Sequence, residues 1–326
     1  MMPMVELNNL SVTYKTKQRH VTAVDRVSLT IDERDSIGIV GESGSGKSTL
    51  AMAILRLLPE QAAEVTGEVQ FNGTDLLSLN ESELARLRWT ELAVVFQKSM
   101  SALSPVHRIG VQMSDIYRMH ETKVSKREAR SRMVALLHMV NLPERVYDLY
   151  PHELSGGMMQ RVAIALSLMH QPKLLILDEA TTALDVVTQG QILDEMLELE
   201  RKLGITRIMI THDMSVVASA CNKVAVMYAG RIVETGLVKQ VLTHPLHPYT
   251  QGLLRSIPSF TGEKENVRGI PGSIPDLALL PTGCIFASRC DHAVELCRQV
   301  NPDETLFQQG HRVACHLVGG ELAHAH

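Results

Sequence analysis

The sequence predicts an α/β fold, a mostly parallel sheet wrapped by helices, and three observations predict it. Short apolar runs alternate along the chain with helical segments, the order expected when parallel strands are joined through helices. Ser36 to Val40 (SIGIV) reads as a buried strand, the glycine-rich stretch Gly41 to Thr49 (GESGSGKST) follows it, and Thr49 to Leu58 continues as a helix of Ala, Leu and Met. Leu174 to Leu177 is a second apolar run. It ends in Asp178 and Glu179, as a central strand does when it delivers carboxylates at its C-terminal end.

Each element carries its own chemistry. Gly41, Gly46, Lys47 and Ser48 fit the spacing G-x-x-x-x-G-K-[ST], with a further glycine at Gly44. Glycines let successive backbone N–H groups turn inward around a phosphate, and the helix N terminus adds partial positive charge. Lys47 would span the β- and γ-phosphates of a nucleotide and Ser48 would ligate Mg²⁺, with Ser43, Ser45 and Thr49 completing the cradle. A Gly/Ser turn with no ligand is the plainer alternative, but strand, loop, lysine, hydroxyl and helix all stand in order. Asp178 would hold Mg²⁺ through water, and Glu179 would orient or deprotonate an attacking water. Two adjacent carboxylates taken alone read better as a strand-end turn; Lys47 upstream reverses that preference.

A third motif, LSGGMMQR from Leu154 to Arg161, lies twelve residues ahead of the carboxylate strand. A serine hydroxyl and two glycine N–H groups at the opening of a helix make an anion-binding surface. Ser155 is also a favoured helix cap, and the two roles are compatible.

Taken together, these residues resemble the ABC-type ATPases. The resemblance implies a nucleotide-binding core with N-terminal antiparallel strands, a mostly parallel sheet and an inserted helical subdomain, here about residues 98–165. It implies that Tyr14 stacks on adenine, that Gln97 in VVFQ senses Mg²⁺ and the water, and that His212, ending RIMITH, contacts the γ-phosphate. Ser155, Gly156 and Gly157 would cap the ATP held by a second subunit, and Asp185 in TTALD would communicate across that dimer. Glu179, His212, Gln97 and Lys47 are then the catalytic set, with Ser48, Gln97 and Asp178 around Mg²⁺. Taken singly, a Gln or His at a strand end is usually structural, and a lone Tyr usually packs; order and spacing carry their assignment.

Three further stretches resemble the ATP-binding subunits of oligopeptide/dipeptide importers: Phe96 to Ile109, His244 to Leu254 (HPLHPYTQGLL), and Ile270 to Cys290 (IPGSIPDLALLPTGCIFASRC). Lys98, Ala180 and Met159 depart from the family pattern, and none of them removes a catalytic group. The expected domains are an ATP-binding domain over residues 1–255 and a C-terminal domain over 256–326, where the composition turns to Pro, Gly and Cys. The resemblance implies a second ATPase subunit, two transmembrane permease subunits and an extracytoplasmic solute-binding protein as partners. Nickel, metal-chelate or sugar cargo, or a non-transport ABC ATPase, are the alternatives.

Four of the five cysteines, Cys284, Cys290, Cys297 and Cys315, fall in that last region with spacings x5, x6 and x17. A small loop-rich segment builds little core of its own, so a cross-link is expected. Disulfides are disfavoured in a reducing cytosol, and structural zinc prefers closer C-x(2–4)-C pairs. A [4Fe–4S] cluster tolerates varied spacing, and the family resemblance favours it, with Zn²⁺ as the alternative. His311 and His316 flank Cys315 as substitute ligands or, more simply, solvated histidines, and Cys221 reads as a core thiol.

Composition sets the outer bounds. A length of 326 residues accommodates about two domains. A net charge of −4 argues against an extended nucleic-acid surface. The basic cluster Lys123, Lys126, Arg127, Arg130 and Arg132, interrupted by Glu128, reads as a solvated helix face. No apolar run approaches bilayer-spanning length, and MMPMVELNNL lacks the regions of a signal peptide. The expected location is peripheral, on the cytoplasmic face of the inner membrane.

Overall fold

In chain order the described elements begin with β1 (Val5–Lys15), β2 (His20–Ile31), β3 (Ser36–Val40), α1 (Lys47–Ile54), β4 (Ala63–Phe71) and β5 (Thr74–Asp75). They continue with α2 (Glu81–Leu87), β6 (Leu92–Phe96), α3 (Ile109–His120), α4 (Lys126–Met139), α5 (Gly156–Ser167), β7 (Leu174–Asp178) and α6 (Val186–Leu203). Then come β8 (Thr206–Thr211), α7 (Met214–Ala220), β9 (Lys223–Tyr228), β10 (Arg231–Leu237), α8 (Val238–Thr243) and α9 (Pro248–Arg255). The last are α10 (Glu295–Gln299), β11 (Thr305–Gln308) and β12 (His311–Val313). The computed structural model describes residues 2–16, 19–96, 103–180, 185–256, 269–308 and 310–318. They form two units, Met1–Ser78 with Met209–His326, and Leu79–Ile208.

The first unit holds two sets of strands. β2, β1, β4 and β5 pair in that order as an antiparallel sheet, as expected of the N-terminal strands. Alternation drives it: Val5, Leu7, Leu10 and Val12 of β1 are buried while their neighbours are not. The alternation slips at Asn9, whose φ of 48° marks a bulge, and Gly67 of β4 lies against it. A Cβ on Gly67 would stand 2.5 Å from the Asn9 carbonyl oxygen, so only glycine fits there. Asn72-Gly73, both left-handed, make the tight turn between β4 and β5.

The other strands of this unit run in the order β11-β12-β10-β9-β3. β3 and β9 are parallel, Ile37 opposite Lys223 through Val40 opposite Val226, and β3 is almost wholly buried. β10 turns back antiparallel to β9, and β12 then joins β10 antiparallel, Glu234 opposite Val313. The sequence gives no hint of that last pairing. Residues on both sides of Arg255 share one core, in which Val40, Val226, Tyr228 and Tyr249 pack with Cys284, Ile285, Phe286 and Cys297. Tyr228, Tyr249 and Phe286 form a ring cluster with centroids 4.6–5.5 Å apart. The C-terminal region thus has a supply of buried apolar surface that its own length would not provide.

α1 stops earlier than the expected Leu58. Arg56 takes a left-handed φ of 49°, and the Leu57 and Arg56 N–H groups bond back to the Met52 and Ala53 carbonyls, a terminating turn.

In the second unit β6 and β7 are parallel, Leu92 opposite Leu174 through Phe96 opposite Asp178. α3, α4 and α5 make the helical part, with Ile109, Met113, Met133, Leu136 and Val162 inward. At the start of α4, Ser125 and Glu128 form a reciprocal cap. Lys126, Arg127 and Arg130 are exposed, Arg132 is half-buried and donates to the Met169 carbonyl, and Arg130 lies 4.4 Å from the Tyr147 ring centroid and pairs with Asp148. β8 crosses the sequence boundary between the units.

Candidate nucleotide site

The glycine-rich loop Gly41 to Thr49 is built by contact between its glycines and the neighbouring backbone. A Cβ on Gly46 would stand 2.2 Å from the Ala23 carbonyl oxygen, and one on Gly41 would stand 2.1 Å from that of Met227. Gly46 has φ 100°, so both shape and space demand glycine there. Gly44, also left-handed, has open space around it, consistent with the exposed side of the loop. Ser45 is fully buried, and its carbonyl accepts the Gly230 N–H at 2.9 Å.

Lys47 opens α1 and is only 5% exposed. Its Nζ donates to the Gly41 and Glu42 carbonyls, both at 2.8 Å, and to Ser45 Oγ at 3.3 Å. A buried ammonium thus sits inside a ring of loop oxygens at a helix N terminus that no side chain caps. Ser43, Gly44 and Ser48 are exposed. Tyr14 reaches the same helix, its Oη 3.2 Å from Thr49 Oγ1. His212 is exposed, just after β8, in the same unit.

The second unit carries the remaining described candidates. β7 is buried along its length and delivers Asp178, 6% exposed, at its end. Glu179 follows half-buried with φ 48°, a left-handed backbone that a glutamate adopts only under constraint. Ser155 caps α5, its Oγ accepting the Met158 N–H at 3.3 Å, so the plainer reading of that serine is met. Gly157 lies against Thr188, where a Cβ would come within 2.8 Å of its methyl group. Asp185 caps α6 by accepting the Thr188 N–H at 3.0 Å, and that bond holds its carboxyl below the ordinary range. Arg161 and Glu195 tie α5 to α6 by a bidentate pair at 2.8 and 2.9 Å. Gln97 and Lys98 lie outside the described residues.

The cysteines form a second constellation. Cys284 and Cys297 are buried and Cys290 and Cys315 half-buried, and the Cys284 N–H donates to the Cys297 carbonyl at 2.7 Å. Burial pushes the Cys315 thiol up to about 11, and Cys284, Cys290 and Cys297 add to it by charge repulsion. Burial raises Cys284 and Cys290 as well. Among the described residues, no group of three or more His, Cys, Asp or Glu side chains stands ready to hold a metal ion. Cys221 is half-buried against the core. His311 departs from the expectation of a solvated residue: it is 3% exposed, with Nε2 2.7 Å from Glu234 Oε1. Pairing of β12 with β10 carries it inward. Glu234, fully buried, also accepts the Leu246 and His247 N–H groups at 2.9 Å.

Sequence reasoning passed over the groups that fix the loop from outside. The Glu42 N–H donates to Tyr249 Oη at 2.9 Å, and the Glu42 carboxylate is held by Arg289. Both partners lie in stretches notable for family likeness, HPLHPYT and IFASRC, but no local pattern announces a contact over such separations.

The chain is similar to known proteins along most of its length. The ABC transporter family matches residues 24–182, and the oligopeptide/dipeptide transporter C-terminal region matches residues 233–297. The oligopeptide transport ATP-binding protein OppD of Salmonella typhimurium is 45% identical over 98% of this chain and 95% of its own length. The dipeptide transport ATP-binding protein DppD of Escherichia coli is 40% identical over 97% of both. Among solved structures, the ATP-binding cassette MJ0796, a dimer in a post-hydrolysis state bound to ADP and Pi, superposes with a TM-score of 0.65 at 31% identity. That match covers 72% of this chain and 99% of MJ0796.

Proposed function

The chain belongs to the ABC transporter ATP-binding proteins of the oligopeptide/dipeptide branch, and from that premise we propose that it hydrolyses ATP to power peptide uptake through separate membrane subunits. The observation that carries the reading is likeness along nearly the whole chain to named peptide-transport ATPases, together with a formed phosphate loop around a buried lysine. No helix among the described residues is long and apolar enough to cross a membrane, so in this reading two permease subunits supply the pore. A second ATPase subunit and an extracytoplasmic binding protein complete the assembly, with this chain peripheral on the cytoplasmic face of the membrane.

In the proposed cycle Lys47 and the loop N–H groups neutralise the β- and γ-phosphates. Ser48, Asp178 and Gln97 serve Mg²⁺, which would supply charge neutralisation on the phosphates. Tyr14 faces the base and His212 the γ-phosphate. Glu179 takes the proton from water as it attacks. Ser155, Gly156 and Gly157 act on the ATP of the partner subunit, and Asp185 couples the two. ATP favours the closed pair and ADP the open one, and that difference in affinity is what drives the permeases. The domain division follows the same reading, residues 1–255 for nucleotide and 256–326 for the C-terminal region.

In the same reading Cys284, Cys290, Cys297 and Cys315 hold a [4Fe–4S] cluster, with Zn²⁺ as the alternative occupant. What supports this reading is four cysteines within one short region, although among the described residues no three such side chains are placed to hold a metal. The cluster would staple the C-terminal region and take no part in phosphate chemistry. Anaerobic purification followed by iron, sulfide and zinc analysis should give about four irons and four sulfides per chain. Zinc alone would reject the cluster.

The transport reading is tested by affinity purification from detergent-solubilised membranes of the source cell, and by uptake of labelled peptides in a deletion strain. Permease subunits should co-purify, and peptide uptake should fall. Intact peptide uptake with loss of nickel or sugar uptake would change the cargo. A chain that co-purifies with no membrane protein, and whose loss leaves uptake untouched, would overturn the reading.

A further inference from the structure

A side chain of the C-terminal region, Arg289, touches the glycine-rich loop. Arg289 ends a short 3-10 turn, Ala287–Arg289, directly before Cys290. It is 8% exposed, and its guanidinium grips the Glu42 carboxylate twice, Nη1 to Oε2 at 2.7 Å and Nη2 to Oε1 at 2.9 Å. The rest of the fork is used as well. Nε donates to the Pro271 carbonyl at 2.7 Å, Nη2 to that of Ile270 at 3.2 Å, and Nη1 to Tyr228 Oη at 3.4 Å. A planar group with its donors so committed has one orientation, and it imposes that orientation on its partner.

The partner lies inside the loop. The Glu42 side chain is held by Arg289, its N–H by Tyr249 and its carbonyl by Lys47. The last contact matters most, because the same lysine is the group that would meet the phosphates. A shift of Glu42 therefore moves an oxygen bonded to Lys47 Nζ.

We propose that Arg289 is a positioning residue for ATP binding: by fixing Glu42 it holds the shape of the loop that would receive the phosphates. Affinity for ATP in this chain then depends on a residue from the C-terminal region that itself touches no nucleotide. The inference rests on the reading that the loop binds ATP. It predicts a defect in binding rather than in chemistry, because nothing in the contact set of Arg289 reaches a reacting atom.

The test is a double-mutant cycle on the full chain with E42Q, R289Q and the pair, read by fluorescent-ATP titration and steady-state hydrolysis. Each single change should weaken ATP binding about tenfold, the scale of coupling carried through one packed contact. The rate at saturating ATP should stay within a factor of about two of the parent. The pair should be no worse than the worse single variant. R289K, which keeps the charge and loses the fork, should fall between parent and R289Q. Arg312→Gln removes an exposed charge of the same region, paired with Glu304 at 3.1 Å, and should bind ATP as the parent does.

If R289Q does not fold, E42Q and R289K carry the comparison. Folded variants that bind ATP with parental affinity would overturn the proposal. Strict additivity would too, and so would a loss confined to the saturated rate. Failure of the underlying reading looks different: the parent itself would not bind ATP. A parent that binds ATP through Lys47, alongside unaffected E42Q and R289Q, would reject only the role of Arg289.

Discussion

Glu179→Gln should leave a chain that binds ATP and pairs on it, yet hydrolyses it about 10²–10⁴-fold more slowly, the worth of general-base assistance. The substitution is clean for a structural reason. Glu179 sits half-buried just past the buried strand β7 with a left-handed φ of 48°. Glutamine has the same length and the same backbone preference, so it meets the same strain and leaves the strand end where it was. What changes is the ability to accept a proton. Phosphate release at saturating ATP measures the chemical loss, and light scattering with and without ATP measures the pairing. A variant that turns over at the parental rate would remove Glu179 from the role of base. One that fails to pair would instead make Glu179 a structural residue.

Lys47→Ala should act one step earlier, weakening ATP binding about 10–100-fold, in line with ~1.5–3 kcal/mol for a hydrogen bond to a charged group. In the present conformation the ammonium is satisfied by Gly41 O, Glu42 O and Ser45 Oγ, so an incoming phosphate competes with these oxygens for it. Competition of this kind keeps a buried charge paired throughout, avoiding the cost of stranding it. Alanine removes the charge and the competition together. The thermal midpoint should be followed alongside the titration, to separate loss of a ligand contact from loss of the fold. Parental affinity in a folded Lys47→Ala chain would mean that the phosphates are held elsewhere.

The parts of this molecule legible in its sequence are those whose cause is local. SIGIV is a buried strand because its neighbours are apolar, the loop glycines are required by close backbone approach, and Ser155 caps a helix within three residues of itself. The parts that were not legible are long-range. No periodicity signals that His311 will meet a buried Glu234, or that Arg289 will find Glu42 across the chain. Both contacts depend on β12 and the Phe286 turn packing onto the core of β9 and β10, and that register is set by tertiary fit rather than by propensity. The early end of α1 lies between these cases. Its composition favours helix to Leu58, and a left-handed Arg56 stops it sooner.

The pairing of β12 with β10 also bears on how this polypeptide can be handled. Trimming at Arg255, where the ATP-binding portion looks finished, would strip β10 of its outer partner β12 and uncover a flank of amide and carbonyl groups beside bared tyrosines. A bare strand margin of that sort is an invitation to pair with copies of itself. The shortened product would be prone to clump before it could be assayed.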